Sequence, residues 1–168
     1  MTEKRTIWKW FWAWDFEKEE QWLNAMAQSG WALTDVSWCR YTFEACEPGA
    51  YTVRLEMHPR DEGYLDFLRE TGAELAGRWF QWIYLRRSTA LGSFDLFSDL
   101  DSRIAHLSRV CRMLAAVGIL NLGIGVMNTL NVRGLGIVNL LLGTVLMYGL
   151  GRLHGKKEEL EKERSLHE

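Results

Sequence analysis

Two stretches near the C-terminal end constrain this 168-residue chain most. Residues 113–130 and 135–150 are almost wholly apolar and uncharged, and only Asn131-Val132-Arg133-Gly134 lies between them. They echo each other: Gly118-Ile119-Leu120-Asn121 in the first answers Gly136-Ile137-Val138-Asn139 in the second. A helix crosses the hydrocarbon core with about 20 mostly apolar residues, and with about 17 at the short limit. Flanking arginines extend that reach by snorkelling. The pattern predicts a transmembrane helical hairpin on a water-soluble domain, with the lipid bilayer as its first partner.

The flanking charges predict the orientation. Arg103, Arg109 and Arg112 precede the first span, Arg152, Lys156 and Lys157 follow the second, and the connection holds only Arg133. Positive charge is retained on the cytoplasmic side, so both termini are expected there. Met1–Arg5 leads into a Trp-rich segment with no apolar h-region, so no signal peptide is expected. Net charge is −2, which gives no basic footprint for nucleic acid. Cys39, Cys46 and Cys111 form no CxxC pair and read as reduced thiols. The four histidines show no metal-ligand spacing. No metal, no cofactor and no catalytic residue are expected.

Three parts follow: an α+β domain over 1–100, a linker helix and hairpin over 101–154, and a charged helical tail over 155–168. In the first, Trp8, Trp10, Trp12, Trp14 and Phe16 fall on alternate positions, which predicts one face of a strand over 7–16. A helix over 17–28 should end at Gly30, followed by strands over 31–38, 41–46 and 51–57. A second helix over 62–71 should end at Gly72, with strands over 73–76 and 79–86. Aligning Gly30 with Gly72 also aligns Leu23 with Leu65, Met26 with Leu68, Leu33 with Leu75, and Phe43 with Leu85. Two strand–helix–strand–strand units result, and a ferredoxin-like two-layer sandwich with both helices on one face is the expected arrangement. Asp99 or Ser98 should cap a helix that runs unbroken into the first span.

The segment Trp10–Trp31, with Phe16-Glu17-Lys18-Glu19-Glu20, Trp22-Leu23-Asn24, Met26-Ala27 and Gly30-Trp31, resembles bacterial domain-of-unknown-function family 2812. Tyr64–Leu68 and the box Phe97-Ser98-Asp99-Leu100-Asp101-Ser102 are similar to that family too. The resemblance covers roughly residues 8–112 and departs at Ala73, where the family pattern has Trp. It implies a bacterial cytoplasmic domain often followed by membrane helices, with genes often beside those of PadR-like repressors; a regulatory protein is among the candidate partners. It implies no activity.

Several features invite a functional reading beside a plainer one. The Trp stripe, with Trp31, Arg40 and Arg54, suits a site for an amphipathic ligand: Trp8, Trp10, Trp12 and Trp14 would line it. An aromatic strand face is more often packed core. Nine tryptophans are many, however, and some of Trp8, Trp10, Trp31, Trp38, Trp79 and Trp82 are expected to reach a surface. Glu17, Glu19 and Glu20 suit acid chemistry, but acidic residues in a first helical turn usually complement the helix dipole. In the spans, Gly118, Asn121, Gly125 and Asn128 share one helix face, and Gly136, Asn139 and Gly143 share another. Small residues permit close backbone approach and Asn can bond across, with Asn128 expected level with Asn139 and Asn121 with Thr144. The function expected is a membrane-anchored binding or regulatory module for an amphipathic small molecule or a protein partner. A homo-oligomer assembled through the Gly/Asn faces, a small pore or transporter accessory, and an enzyme acting on lipid-soluble substrates are the alternatives.

Overall fold

A computed structural model describes residues 3–97, 99–131 and 136–167. The chain forms two compact units, Met1–Leu96 and Phe97–Glu168.

The first unit contains the repeat read from the sequence. Strand β1 (Lys4–Trp8), helix α1 (Phe16–Gln28), β2 (Trp31–Ser37) and β3 (Arg40–Ala45) are followed by β4 (Tyr51–Met57), α2 (Glu62–Glu70), β5 (Ala73–Trp79) and β6 (Trp82–Ser88). Each set makes a three-stranded antiparallel sheet of the same order, β1-β3-β2 and β4-β6-β5. Both helices stop at a glycine in the left-handed region, Gly30 at φ +84° and Gly72 at +82°, a conformation that side-chain-bearing residues resist. The registers slip at aligned points, between Leu33 and Asp35 in β2 and between Leu75 and Gly77 in β5.

Two expectations change here. The segment 7–16 is not one strand: β1 ends at Trp8 and a 3-10 turn over Ala13–Asp15 leads into α1. The strand expected over 73–76 continues to Trp79, and the turn to β6 lies at Phe80-Gln81. Gly77 is a strand residue because β2 passes close beside it: a Cβ there would sit 2.7 Å from the Val36 amide nitrogen. Glycine in a strand can mark close backbone approach as well as a turn.

The two helices do not share one face, so the layering is not that of a ferredoxin-like sandwich. Leu65 and Leu68 of α2 pack with Ala73, Ile83, Leu85 and Phe94 on one face of the second sheet. Side chains alternate along a strand, so Tyr84 and Trp82 point to the other face. There Trp82 meets Phe16, and Tyr84 reaches Glu19, both from α1. Trp22 of α1 also packs on Tyr41 and Phe43 of the first sheet. Helix α1 is thus held between two sheets and α2 lies outside the second. Strand β4 pairs only with β6, and α1 covers its other edge. The Asn24 amide donates to Val53 O and accepts from Val53 N, both at 2.9 Å, while Glu20 Oε2 accepts from Leu55 N at 2.9 Å. An uncovered edge is a template for stray strand pairing, and α1 removes it.

The second unit is a pair of 32-residue helices, α3 (Leu100–Asn131) and α4 (Gly136–His167), each long and apolar enough by length and composition to cross a membrane. Ser102 N donates to Asp99 Oδ1 at 2.6 Å, which caps α3; Ser98, the other capping candidate, lies outside the described residues, as does the connection over 132–135. The helices run antiparallel: Gly118 faces Leu146 and Met147, Gly125 faces Leu140, and Gly143 faces Leu122. Ile104, Leu107, Cys111 and Leu114 continue the buried stripe of Gly118 and Gly125 at three–four spacing. That is the heptad spacing of a coiled-coil seam. Its members change from large to small where the chain becomes wholly apolar.

Candidate functional site

The first unit gathers exposed aromatic side chains at one end. Val36 lies opposite Tyr41, and Gly77 opposite Tyr84. Val36 abuts Gly77, while Tyr41 and Tyr84 converge on Glu19. Farther along, Leu33 O accepts from Arg86, which lies opposite Glu74. Strands β2 and β5 therefore advance in the same direction, and both hairpin tips leave the sheets at the same end. Trp8 is in register with Arg40, and Lys9 N donates to Cys39 O, which adds the exit of β1 to that end.

This aromatic pole carries Trp8, Trp10, Trp12, Trp38, Trp79 and Phe80, all exposed, with Trp8 at 68% and Phe80 at 65%. Three of these tryptophans, Trp10, Trp12 and Trp38, form a connected set with Trp14. Trp10 meets Trp12 and Trp38 edge-on at 5.3 and 6.2 Å between ring centroids, and Trp12 stacks on Trp14 at 4.8 Å. Only Trp14 continues into the core. The expected stripe thus divides into two packed rings, Trp14 and Phe16, and three presented ones. Two-residue hairpins normally place Gly, Asn or Asp where φ is positive. Here Cys39 stands at φ +55° and Phe80 at +54°. A bulky residue in that region is strained by on the order of 1 kcal/mol. The second tip spends that strain on displaying a phenyl ring.

The other proposed ligand-binding residues are dispersed. Arg40 belongs to the pole and pairs with Asp35 at 3.3 Å. Trp31 lies at the opposite end, in register with Ala45 and under the Arg5 guanidinium. Arg54 pairs with Glu20 on β4. Of the tryptophans among which some are expected at a surface, Trp8, Trp10, Trp38 and Trp79 are exposed and Trp82 is buried.

A second cluster was not legible in the sequence. Glu19 is buried, and its Oε1 accepts hydrogen bonds from the Tyr41 and Tyr84 hydroxyls, both at 2.7 Å. Burial raises its carboxyl above the usual range, against the lowering effect of the two hydroxyls. Burial and the Glu19 charge push both phenols well above theirs, so they remain donors. Glu20 is raised as well, by burial first. Glu19 lies with Glu17 in the first turn of α1, as the helix-dipole reading has it, and Glu19 and Glu20 also tie α1 to strands far along the chain. Burial and Glu19 raise the Cys39 thiol, the reverse of thiolate activation.

In the second unit Gly118, Gly125, Gly136 and Gly143 all meet the opposite helix. The asparagines behave otherwise. Among the described residues no hydrogen bond joins Asn128 to Asn139, which are both half-buried. Asn121 donates to Val117 O at 2.8 Å, Thr144 to Leu140 O at 2.8 Å, and Thr129 to Gly125 O at 2.8 Å. A side chain that returns its proton to the carbonyl four residues earlier is satisfied without a partner helix. The Phe97–Ser102 box has a visible role: Phe97 stacks on the buried His106, whose ring is held down to about 3 by burial and by Arg109. Asp101 pairs with Arg164 at 2.9 Å.

No match was found among curated proteins or among solved structures. Residues 15–119, from the start of α1 through the first part of α3, match the family described as "Protein of unknown function (DUF2812)". They include the first-helix residues and the Phe97 box, and on that match the chain belongs to this family.

Proposed function

We propose that this protein is a membrane-anchored binding module of the bacterial inner membrane. In this reading α3 and α4 span the bilayer, both termini lie in the cytoplasm, and the first unit engages an amphipathic small molecule or a protein partner. The observation that carries the reading is the aromatic pole: six exposed rings at one end of the first unit. Exposed apolar patches on a folded domain mark interaction surfaces. Assembly through the Gly/Asn helix faces has less support, because the four seam glycines are already occupied within the hairpin. A pore or transporter accessory would draw on the same faces, and the hydroxyls and amide of Thr129, Thr144 and Asn121 are turned to their own helices.

Alkaline carbonate should leave the protein in the membrane pellet. With Cys39, Cys46 and Cys111 replaced by Ser, Val132→Cys should react with an impermeant thiol reagent in intact cells, and Leu160→Cys only after permeabilisation. Release by carbonate, or labelling at position 160 from outside, defeats the anchoring. Loss of all saturable Trp-emission change across a panel of amphiphiles would remove the small-molecule arm.

A further inference from the structure

We propose that the aromatic pole of the first unit docks onto the headgroup layer of an anionic lipid bilayer. This names the partner of the site just described and rests on the membrane-anchored reading.

Three observations favour lipid over another occupant. The first is the kind of ring displayed. Tryptophan joins a large apolar body to an N–H edge, which suits the boundary between headgroups and acyl chains. Five of the six rings at the pole are tryptophan. The second is charge. Lys9 is exposed, with its ammonium over the Phe11 and Trp22 rings at 5.0 and 4.5 Å. Beside Trp79, the Arg78 Nε and Nη2 atoms are buried with no hydrogen-bond partner, and so is Arg40 Nε. Asp35 is already engaged by Arg40. Among the described residues neither Lys9 nor Arg78 is held in an ion pair; lipid phosphates would pair with the exposed Lys9 ammonium, and with Arg78 once its half-buried side chain turns outward. A second copy of the pole would bring the same cations and repel. The third is tethering. With α3 and α4 in the bilayer, the local concentration of lipid surface around the domain is high, so a patch too weak to recruit a free protein suffices to dock a tethered one.

The full-length protein allows a direct test. All nine tryptophans lie at or before residue 82, so its Trp emission reports the first unit alone. Reconstitute it into phosphatidylcholine vesicles with and without phosphatidylglycerol, with lipids brominated either near the carbonyl or near the chain end. Docking predicts quenching by shallow bromines, little by deep ones, and more with phosphatidylglycerol. Trp38→Ser combined with Phe80→Gly should cut the shallow quenching by about twofold or more, as interfacial anchors are lost. Glycine suits the positive φ at residue 80, so the fold should be kept, and an unchanged thermal transition checks this. Lys9→Gln with Arg78→Gln should erase the phosphatidylglycerol excess and leave the phosphatidylcholine signal. If the protein floats with the vesicles and resists carbonate but shallow bromines leave its emission unchanged, docking is wrong while anchoring stands. If it does not float, both fall. Unquenched emission with self-association lost in the Trp38→Ser, Phe80→Gly variant would overturn the proposal in favour of a second copy.

Discussion

The two βαββ units share a strand order, a helix stop and a register slip, yet use their helices differently. The alignment of Gly30 with Gly72 places Glu20 against Glu62, Asn24 against Asp66, and Ala27 against Arg69. In α1 the first members of these pairs are turned to use: Glu20 and Asn24 hold the β4 edge, and Ala27 is fully buried. In α2 the second members are solvated: Glu62 pairs with Arg60, and Asp66 with Arg69. The apolar pair Leu23 and Leu65 is buried in both. One buried stripe therefore makes a helix that rests on a sheet. A second, polar but specific, makes a helix that joins two sheets.

Exchanging the distinguishing residues should break this asymmetry, and Ala27→Arg has the largest expected effect. It places the α2 residue at a site with no exposure, where volume and charge both oppose folding. A loss above about 4 kcal/mol is expected, enough to abolish a cooperative thermal transition, while Arg69→Ala should stay within about 0.5 kcal/mol. Next is Asn24→Ala. It leaves Val53 N and O without their side-chain partners and should cost about 2 kcal/mol in chemical denaturation, against about 0.5 kcal/mol or less for Asp66→Ala.

The smallest effect is electrostatic and has a definite sign. The folded-state carboxyl of Glu19 titrates above its unfolded value. Its contribution is complete below the ordinary carboxylate range and is lost as pH rises through the raised value. Stability should fall with rising pH across that window, by at most about 1.4 kcal/mol per pH unit from this one group. Glu19→Gln removes the titration and keeps an acceptor for the tyrosines, so the fall should flatten. An unchanged pH profile would mean that Glu19 stays ionised through its two hydroxyl partners.

How far the sequence could be read follows the same division between local and distant causes. The repeat was legible because turn glycines and apolar spacing are local: Tyr51–Met57 forms as expected, and both helices stop where glycine permits. The Trp stripe misled because alternation is shared by a strand and by extended chain that only passes over a surface. The side-chain pattern ends β5 too early because Gly77 interrupts it, whereas close approach of β2 is what calls for glycine within the strand. Glu19 and Glu20 could not be distinguished from dipole-complementing acids, since their partners Tyr84 and Leu55 are distant in sequence. In the hairpin Gly118, Gly125, Gly136 and Gly143 lie against the opposite helix, but their spacing could not tell whether an asparagine reaches across or back to its own helix.

The sealed β4 edge also imposes an order on synthesis. Asn24 and Glu20 meet partners 29 and 35 residues downstream, and Glu19 meets Tyr84 65 residues downstream. A nascent chain carries α1 with Glu19 met by Tyr41 of β3, but with Asn24 and Glu20 lacking their strand partners until β4 exists and Glu19 lacking Tyr84 until β6 does. Contacts of long sequence separation form slowly, and the interval exposes unpaired strand edges. The first βαββ unit is therefore no independent module: released before Tyr51, it is a fragment whose helix still waits for the other half of its binding site.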